Sequence, residues 1–311
     1  VPALALACSL GPIANYAPVN LVKKKVTDQD SAKVFTLLTF NTAALVDVER
    51  EQRRAAGTLT KDSSPNKIAD YIIHSGADIV LTQEFVDVKE NLYLGFSQRM
   101  VDTLNTVYPH RLFAEGPRGT YGEHRCMIFS KFPMRRVALP EANGFSEWSA
   151  AIIDIRGMET LVVDVHLQSI GLSRQDKDLY LELTEGEGSK GKVIAARNTL
   201  FSKVALAMRY RARQARTLRH AIDSIGVPNV IVAGDFNDIP GCYAIRQIAG
   251  DDFRNAFNDA ANGPMITFHS DRFYFHIDHI LYRGDMEAID CGRGDCPESD
   301  HYPVLATFLM K

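Results

Sequence analysis

The chain has 311 residues, 46% hydrophobic and 23% charged, which supplies apolar mass for a large core and excludes a disordered or fibrous polymer. Lys and Arg number 35 against 38 Asp and Glu, so the net charge of −3 excludes a global pull toward nucleic acid or anionic lipid and leaves only local basic patches. Of the cysteines Cys8, Cys126, Cys242, Cys291 and Cys296, none shows metal-type Cys/His spacing; Cys291 and Cys296 in "CGRGDC" read either as a small disulfide loop or as two unpaired thiols.

Residues 1–32 read as a leader and linker. The apolar "VPALALACSLGPIA" is too short to span a bilayer, and is read as the remnant of a membrane or signal segment. That reading points to a membrane-associated or exported protein; "KKK" at 23–25 reads as solvated linker. Residues 33–311 read as one catalytic domain, opening with a strand at 33–40 in "KVFTLLTFN". "REQRRAAGTLTKDSS" is polar loop or frayed helix. "SPNKIADYIIHSG" predicts a helix with Ser64 at the cap, Pro65 at the first position and Gly76 at the end. "ADIVLTQE" is a strand, a helical pattern follows near 96–107, and "RCMIFSK", "WSAAIIDIR" and "TLVVDVHLQ" are strands. The charged, Gly-rich 171–192 reads as an inserted loop, and 193–225 as one long amphipathic helix whose Arg residues form a solvated face. The strand "NVIVAGDF", a short helix near 240–249 and closing strands "FHIDHILY" and "VLATFL" complete the chain. Short strands with few helices predict two packed sheets with outer helices.

Several strands end in a polar residue. Asn41 follows the first and Glu84 the second; His166 comes late in "TLVVDVHLQ". Asp235 and Asn237 in "GDFND" stand two apart, a spacing that shares one face of a strand. Asp278 lies in "FHIDHI", and "SDHYP" supplies Asp300 and His301. If these ends meet at one rim they form a polar pocket over an apolar core. Mg²⁺ takes oxygen ligands and keeps several waters, so one or two carboxylates suffice; Glu84 is the first candidate, with Asn41 beside it and Asp300 as a further ligand. Mn²⁺ and Ca²⁺ suit the same donors. Two His residues would bind phosphoryl oxygens or move a proton, Asp235 would handle water, and Asn237 would position it. Singly, each has a plainer reading: Asn41 a turn cap, Glu84 a solvated strand end, His166 a core imidazole, Asp278 and His279 a surface pair. The set in its order outweighs them.

"TFN", "TQE", "VHLQS", "GDFND", "HIDHIL" and "SDHYP" come in the order seen in the endonuclease/exonuclease/phosphatase superfamily, which the chain resembles over about 33–311. The resemblance implies an α+β fold, a four-layer α/β/β/α sandwich with two mainly antiparallel sheets. It also implies divalent-metal-dependent hydrolysis of a phosphate ester by in-line water attack. It carries the metal-binding Glu onto Glu84, the first strand-end Asn onto Asn41, the catalytic Asp and Asn onto Asp235 and Asn237, and the closing pair onto Asp300 and His301, with Asp278 orienting His301.

Apurinic endonucleases carry Tyr where this chain has His166, so it is similar instead to the deoxyribonuclease and sphingomyelinase branches, where that His has a carboxylate partner; Glu123 in "YGEHRC" is the candidate. The inositol-phosphatase branch shows a Trp ahead of its Gly-Asp, whereas Trp148 is the only Trp here. Candidate substrates are nucleic acid, phospholipid or a small phosphoester. A nuclease would present basic residues at the rim, with Arg118, Arg125, Lys131 and Arg174 as candidates. A phosphatase or sphingomyelinase-like phospholipase would have a narrower pocket shaped by the 171–192 loop, which is too polar to enter a membrane. A calcineurin-like two-metal phosphatase is disfavoured because its later Gly-Asn-His and Gly-His-x-His blocks are missing. The rival from another class is a non-catalytic binding scaffold on the same fold, which would be expected to have lost a ligand or base.

Overall fold

The structure, a computed structural model, describes residues 15–20, 30–60, 65–86, 94–114, 124–142, 146–173, 175–176, 190–270 and 273–311. Two six-stranded sheets face each other. The first runs β13 (Met286–Arg293), β14 (Val304–Met310), β1 (Val34–Asn41), β2 (Ile79–Val86), β4 (His124–Ser130), β3 (His110–Phe113). The second runs β5 (Met134–Arg136), β6 (Glu147–Ile155), β7 (Met158–His166), β8 (Asn229–Asp235), β12 (Asp278–Arg283), β9 (Arg254–Asn255). A separate hairpin joins β10 (Phe268–Ser270) to β11 (Phe273–Phe275). The pairs β1–β2 and β7–β8 are parallel and sit near the middle of their sheets.

Strand parity explains the layers. Phe35, Leu37, Ile79, Leu81 and Ile128 meet Ile153, Val162, Ile231, Ala233 and Ile280 in one buried cluster between the sheets. The opposite face of the first sheet, with Leu38, Phe40, Val80 and Phe129, packs on Ile68, Ile72, Met100 and Leu104 of α2 (Lys67–His74) and α3 (Gln98–Val107). The opposite face of the second, with Ile152, Leu161, Val163 and Val232, packs on Ala215, Leu218, Ile222 and Ile245 of α4 (Lys190–Ile225) and α5 (Tyr243–Ala249). That is the expected α/β/β/α order. Each fully buried aliphatic or aromatic side chain contributes about 1.5–3 kcal/mol, so the two sheets are held in fixed relation and so are their ends.

The structure departs from the sequence reading in several places. Of the two readings of the polar stretch after the first strand, loop or frayed helix, its first part takes the helical one, in α1 (Val48–Ala55), which starts two residues earlier and is capped by the Asp47 side chain on the Arg50 N–H. The cap of α2 is Asn66, which accepts from Ala69 N at 3.0 Å and donates to Leu45 O and Leu94 O; those extra bonds make it the cap, and Ser64 lies outside the described residues. "FHIDHILY" is not one strand: β11 ends at Phe275 and β12 begins at Asp278. The strand β13 and the short helix α6 (Ala256–Ala260) were not anticipated.

Residues 15–20, assigned from sequence to the leader and linker, dock on the end of α6. Asn20 donates to Asn258 O and Ala261 O, satisfying carbonyls a helix end leaves open, and Pro18 O accepts from Gly263 N. Within α4 most Arg residues are exposed, but Arg211 is buried against Asp238 and Gln168 O. Cys291 lies in the inter-sheet core and Cys296 under α2 and α3, both as free thiols. Among the described residues no helix is long and apolar enough to cross a membrane.

Candidate active site

Strand parity also builds the site. Asn41 shares a face with Leu37, His166 with Val162, Asp235 with Ala233, and Asp278 with Ile280; all four of those apolar neighbours belong to the inter-sheet core. The polar residues are the terminal positions of those inward-facing rows, Asp278 opening β12 and the other three closing their strands. Register then brings them together: Asp235 on β8 is flanked by His166 on β7 and Asp278 on β12. Asn41 reaches across from the other sheet, its Nδ2 donating to Asp235 Oδ2 at 3.1 Å.

Glu84 arrives differently. Plain alternation would place it with Val80 on the helix-covered face. Instead the β2–β4 register shifts between Thr82 and Phe85, and Glu84 adopts a left-handed φ of 52°. A bulge with an αL residue is a local strain of about 1–3 kcal/mol, kept where surroundings hold it. Here Gln83 holds it. Its carbonyl accepts from Thr42 N and Thr42 Oγ1, and its side-chain Nε2 donates to Thr39 Oγ1 at 3.1 Å and to Asp164 Oδ1 at 2.6 Å. The turned Glu84 carboxylate lies 3.2 Å from Asn41 Nδ2 and 3.8 Å from His166 Nε2.

The two imidazoles converge on one oxygen. His166 Nε2 is 3.6 Å and His301 Nε2 3.7 Å from Asp235 Oδ2. His301 Nδ1 lies 2.9 Å from Asp278 Oδ2. The loop carrying His301 is braced by Ser299, whose hydroxyl donates to Asn41 O and accepts from His301 N. Asn237 sits beyond the strand end, not on it: a left-handed φ of 49° folds it back so that its N–H donates to Asp235 Oδ1 and its Nδ2 to Leu167 O and Asp235 Oδ2. It therefore meets Asp235 through a turn rather than through strand alternation. Gly234, at φ 146°, lets β8 approach β7 so closely that an added Cβ would lie 2.0 Å from Val165 O.

Electrostatics follow from burial. Burial opposes charge on His301, but Asp278 and Asp235 overcome it and push the imidazolium up to about 10. Burial pushes Asp235 up to about 6, with Asp278 adding to it, while His301, His166 and the Asn237 N–H hold it down. Asp235, Asp278 and His301 place donor atoms within 4.8 Å of one another. A protonated His301 cannot ligate a cation, so this trio suits proton and charge handling. The more open Glu84 carboxylate, hard and oxygen-only, fits a Mg²⁺-type ion. Asn41 turns its Nδ2 to the carboxylates and its Oδ1 to Ala43 N, so ligation through that oxygen requires turning the amide over. Asp300 is partly exposed beside His301; its backbone carbonyl accepts from His269 N.

Glu123 lies outside the described residues, as do Arg118 and Arg174. Sequence reasoning missed Glu147, the cross-strand neighbour of His166, which accepts from Cys126 N and sits 3.8 Å from Arg125. It also missed Asp164 and Gln83 beneath the site. Only strand register reveals Glu147; the placement of Asp164 two residues before His166 was a usable signal for an inward carboxyl. Arg125 binds Ala114 O, and Lys131 binds Gly76 O and Asp78, so both serve local structure.

A sequence model of the Endonuclease/Exonuclease/phosphatase family matches residues 38–301, most of the chain. The chain belongs to this family. Members of the endonuclease/exonuclease/phosphatase family are phosphoesterase-type hydrolases. Solved structures agree on the fold. A family protein from Beutenbergia cavernae DSM 12333 is 17% identical with a TM-score of 0.58, covering 89% of this chain and 72% of that one. The human Nocturnin catalytic domain with bound sulfate is 16% identical with a TM-score of 0.57, covering 93% and 97%. ANGEL2, described as a 2',3'-cyclic phosphatase and solved with adenosine-2',3'-vanadate, is 14% identical with a TM-score of 0.54, covering 89% and 96%. No curated protein matches the chain significantly.

Proposed function

We propose that the protein is a divalent-metal-dependent phosphodiesterase of the endonuclease type, cleaving a phosphate ester by in-line attack of water. The observation that carries this reading is the convergence of His166 Nε2 and His301 Nε2 on Asp235 Oδ2, at 3.6 and 3.7 Å, with Glu84 alongside. Those gaps are too long for direct hydrogen bonds and leave the imidazole N–H groups available to a phosphoryl group.

Asp235, with a carboxyl pushed up to about 6, is tuned to take a proton from water near neutral pH. As the water oxygen bonds to phosphorus and the ester P–O bond breaks, negative charge grows on the phosphoryl oxygens. His301, held as imidazolium by Asp278, donates to that charge, and His166 faces it from the other side. Asn237 fixes the orientation of Asp235. Glu84, with Asn41 and Asp300, would hold Mg²⁺, with Mn²⁺ or Ca²⁺ as substitutes. The bound ion supplies Lewis-acid neutralisation of the phosphoryl and leaving oxygens. The adenosine-bearing ligand of ANGEL2 supports a nucleotide-like ester over a phospholipid.

The test is an activity panel with Mg²⁺: plasmid DNA, abasic duplex, RNA, sphingomyelin, inositol phosphates and a bis-aryl phosphate. EDTA should silence the enzyme and Mg²⁺ restore it. Thermal shift supplies a readout without turnover: Mg²⁺ should raise the melting temperature of the wild type and not of Glu84→Gln. Turnover that ignores chelation would remove the metal role. Inertness toward every ester, with tight binding to another protein, would favour the scaffold reading.

A further inference from the structure

Helix α4 is longer than the sheet it covers. It ends at Ile225, and β8 begins at Asn229, so the helix and the strand share a lower end and run antiparallel from it. Arg211 marks the level of the upper end. Its side chain binds Asp238 Oδ2 and Gln168 O, residues that lie just past the strand ends at Asp235 and His166. The part that packs on the sheet is therefore 211–225, with Ala215, Leu218 and Ile222 in the buried cluster. The residues before Arg211 rise beyond the strand ends, on the side where His166, Asp235 and His301 converge. The loop after His166 climbs the same way: Gln168 N donates to Gln214 Oε1, and farther along Asp176 pairs with Lys203. At about 1.5 Å per residue, Phe201 stands about 15 Å above Arg211.

This raised part holds apolar side chains in the open. Phe201, Leu206 and Met208 are 64, 53 and 44% exposed, and none belongs to the clusters that build the core. Nearer the body, Arg209, Arg213 and Arg216 follow one another at i, i+4 and i+7 on an exposed face. Arg216 reaches the Tyr243 hydroxyl, whereas Arg209 and Arg213 meet no carboxylate among the described residues. The sequence from Lys190 to Ile222 contains no Asp or Glu, in a chain whose net charge is −3. From tip to body the helix is thus first apolar, then cationic. An anionic bilayer has the same order in depth, with hydrocarbon innermost and phosphate outside it. A nucleic acid would satisfy the arginines and leave the apolar side chains in water. A second copy would cover the apolar side chains and bring the same arginines together.

We propose that the raised part of α4 is an attachment site for an anionic phospholipid surface. Phe201, Leu206 and Met208 enter the headgroup boundary, and Arg209 and Arg213 pair with lipid phosphates. Because this part leaves the body on the side of the catalytic mouth, attachment turns that mouth toward the bilayer. It sets where the enzyme works, not which ester it cleaves, and it does not depend on the phosphoesterase reading.

The experiment is vesicle sedimentation at physiological ionic strength, with phosphatidylcholine vesicles that contain or lack phosphatidylglycerol. Wild type should bind the mixed vesicles and not the neutral ones, and about 1 M salt should release it. Arg209→Gln with Arg213→Gln should lower partitioning about 30-fold. Arg99→Gln with Arg111→Gln, the same charge change at exposed positions of α3 and β3, should leave it unchanged. Phe201→Ser should weaken binding about tenfold or more. Phe201→Trp should bind like wild type and shift its indole emission to the blue on mixed vesicles, a signal the buried Trp148 does not supply. Every variant should keep the wild-type melting temperature, which separates lost attachment from lost folding. A wild type inert toward every ester would remove the hydrolase reading and leave the vesicle result standing. Absence of vesicle binding by wild type, equal binding to neutral vesicles, or equal loss in the control pair would each overturn the proposal. So would a dimer or an oligonucleotide complex that requires Phe201 or Arg209 while vesicles go unbound.

Discussion

Replacing Asp164 by Asn should change the pH dependence of stability more than stability itself. Asp164 is fully buried between the sheets, and its Oδ1 accepts from Gln83 Nε2 at 2.6 Å. Its Oδ2 makes no hydrogen bond of normal geometry, and the Met127 backbone and Cys126 thiol are its remaining polar company. Burial pushes this carboxyl well above the usual range; Glu147 adds to the effect and Gln83 only partly offsets it. The folded chain therefore keeps a proton that an unfolded carboxyl releases near about 3.9. Stability from this group is full below that value and is lost as pH climbs to the folded value, by about 1.4 kcal/mol per pH unit. Asn has no proton to lose and still offers Gln83 an oxygen. Thermal unfolding of wild type and Asp164→Asn at pH 5, 6 and 7 should give a difference that grows in favour of Asn with pH, each 1 kcal/mol showing as about 2–4 °C in the melting temperature. Asp164→Ala should instead lose about 1–3 kcal/mol through the weakened Gln83 amide and should loosen the bulge that aims Glu84. Parallel pH curves for wild type and Asp164→Asn would refute the reasoning, since they would mean that Asp164 is ionised in the fold.

Gly234→Ala should cost about 3 kcal/mol or more, because its Cβ would meet Val165 O at 2.0 Å at a φ of 146° and force β7 and β8 apart; a melting temperature near that of wild type would contradict this. The buried rings of His276 and His279 stack at 4.7 Å, and burial lowers both below the ordinary imidazole value. Their stability is present above about pH 6.5 and lost as pH falls toward the folded values, so His276→Gln should flatten the loss of urea midpoint between pH 7 and 5.5. His301→Ala should lower turnover by about two to four decades with folding intact. Asp278→Asn removes the carboxylate that holds His301 up at about 10, so the alkaline limb of the pH–rate profile should move to lower pH; an unmoved limb would separate Asp278 from that proton.

Much of the site was legible because its residues end inward-facing strands. Asp235 follows four apolar residues and a glycine, and Asn41 and His166 close rows that period-two counting already places toward a core. The long helix, read from its apolar stripe at 193–225, was legible for the same local reason and starts at Lys190, three residues into the stretch read as loop. Errors fell where a local rule met a distant partner. Asn66 displaced Ser64 as the expected cap because Leu45 O and Leu94 O also hold its side chain. Arg211, one of many Arg residues in a helix read as solvated, is buried because Asp238 and Gln168 O meet it there.

The amino-acid order by itself determined the chemistry at the strand ends, the alternation that turns those ends inward, and the succession of motifs that marks the family. Tertiary structure alone decided which ends meet. Asn41 and Asp235 bond across 194 residues, and the direction of Glu84 depends on a bulge whose anchors lie on other strands. Strand periodicity is a property of neighbouring residues, whereas register, bulges and ring contacts are set by what the two sheets bury against each other, and short-range pattern carries no record of that choice.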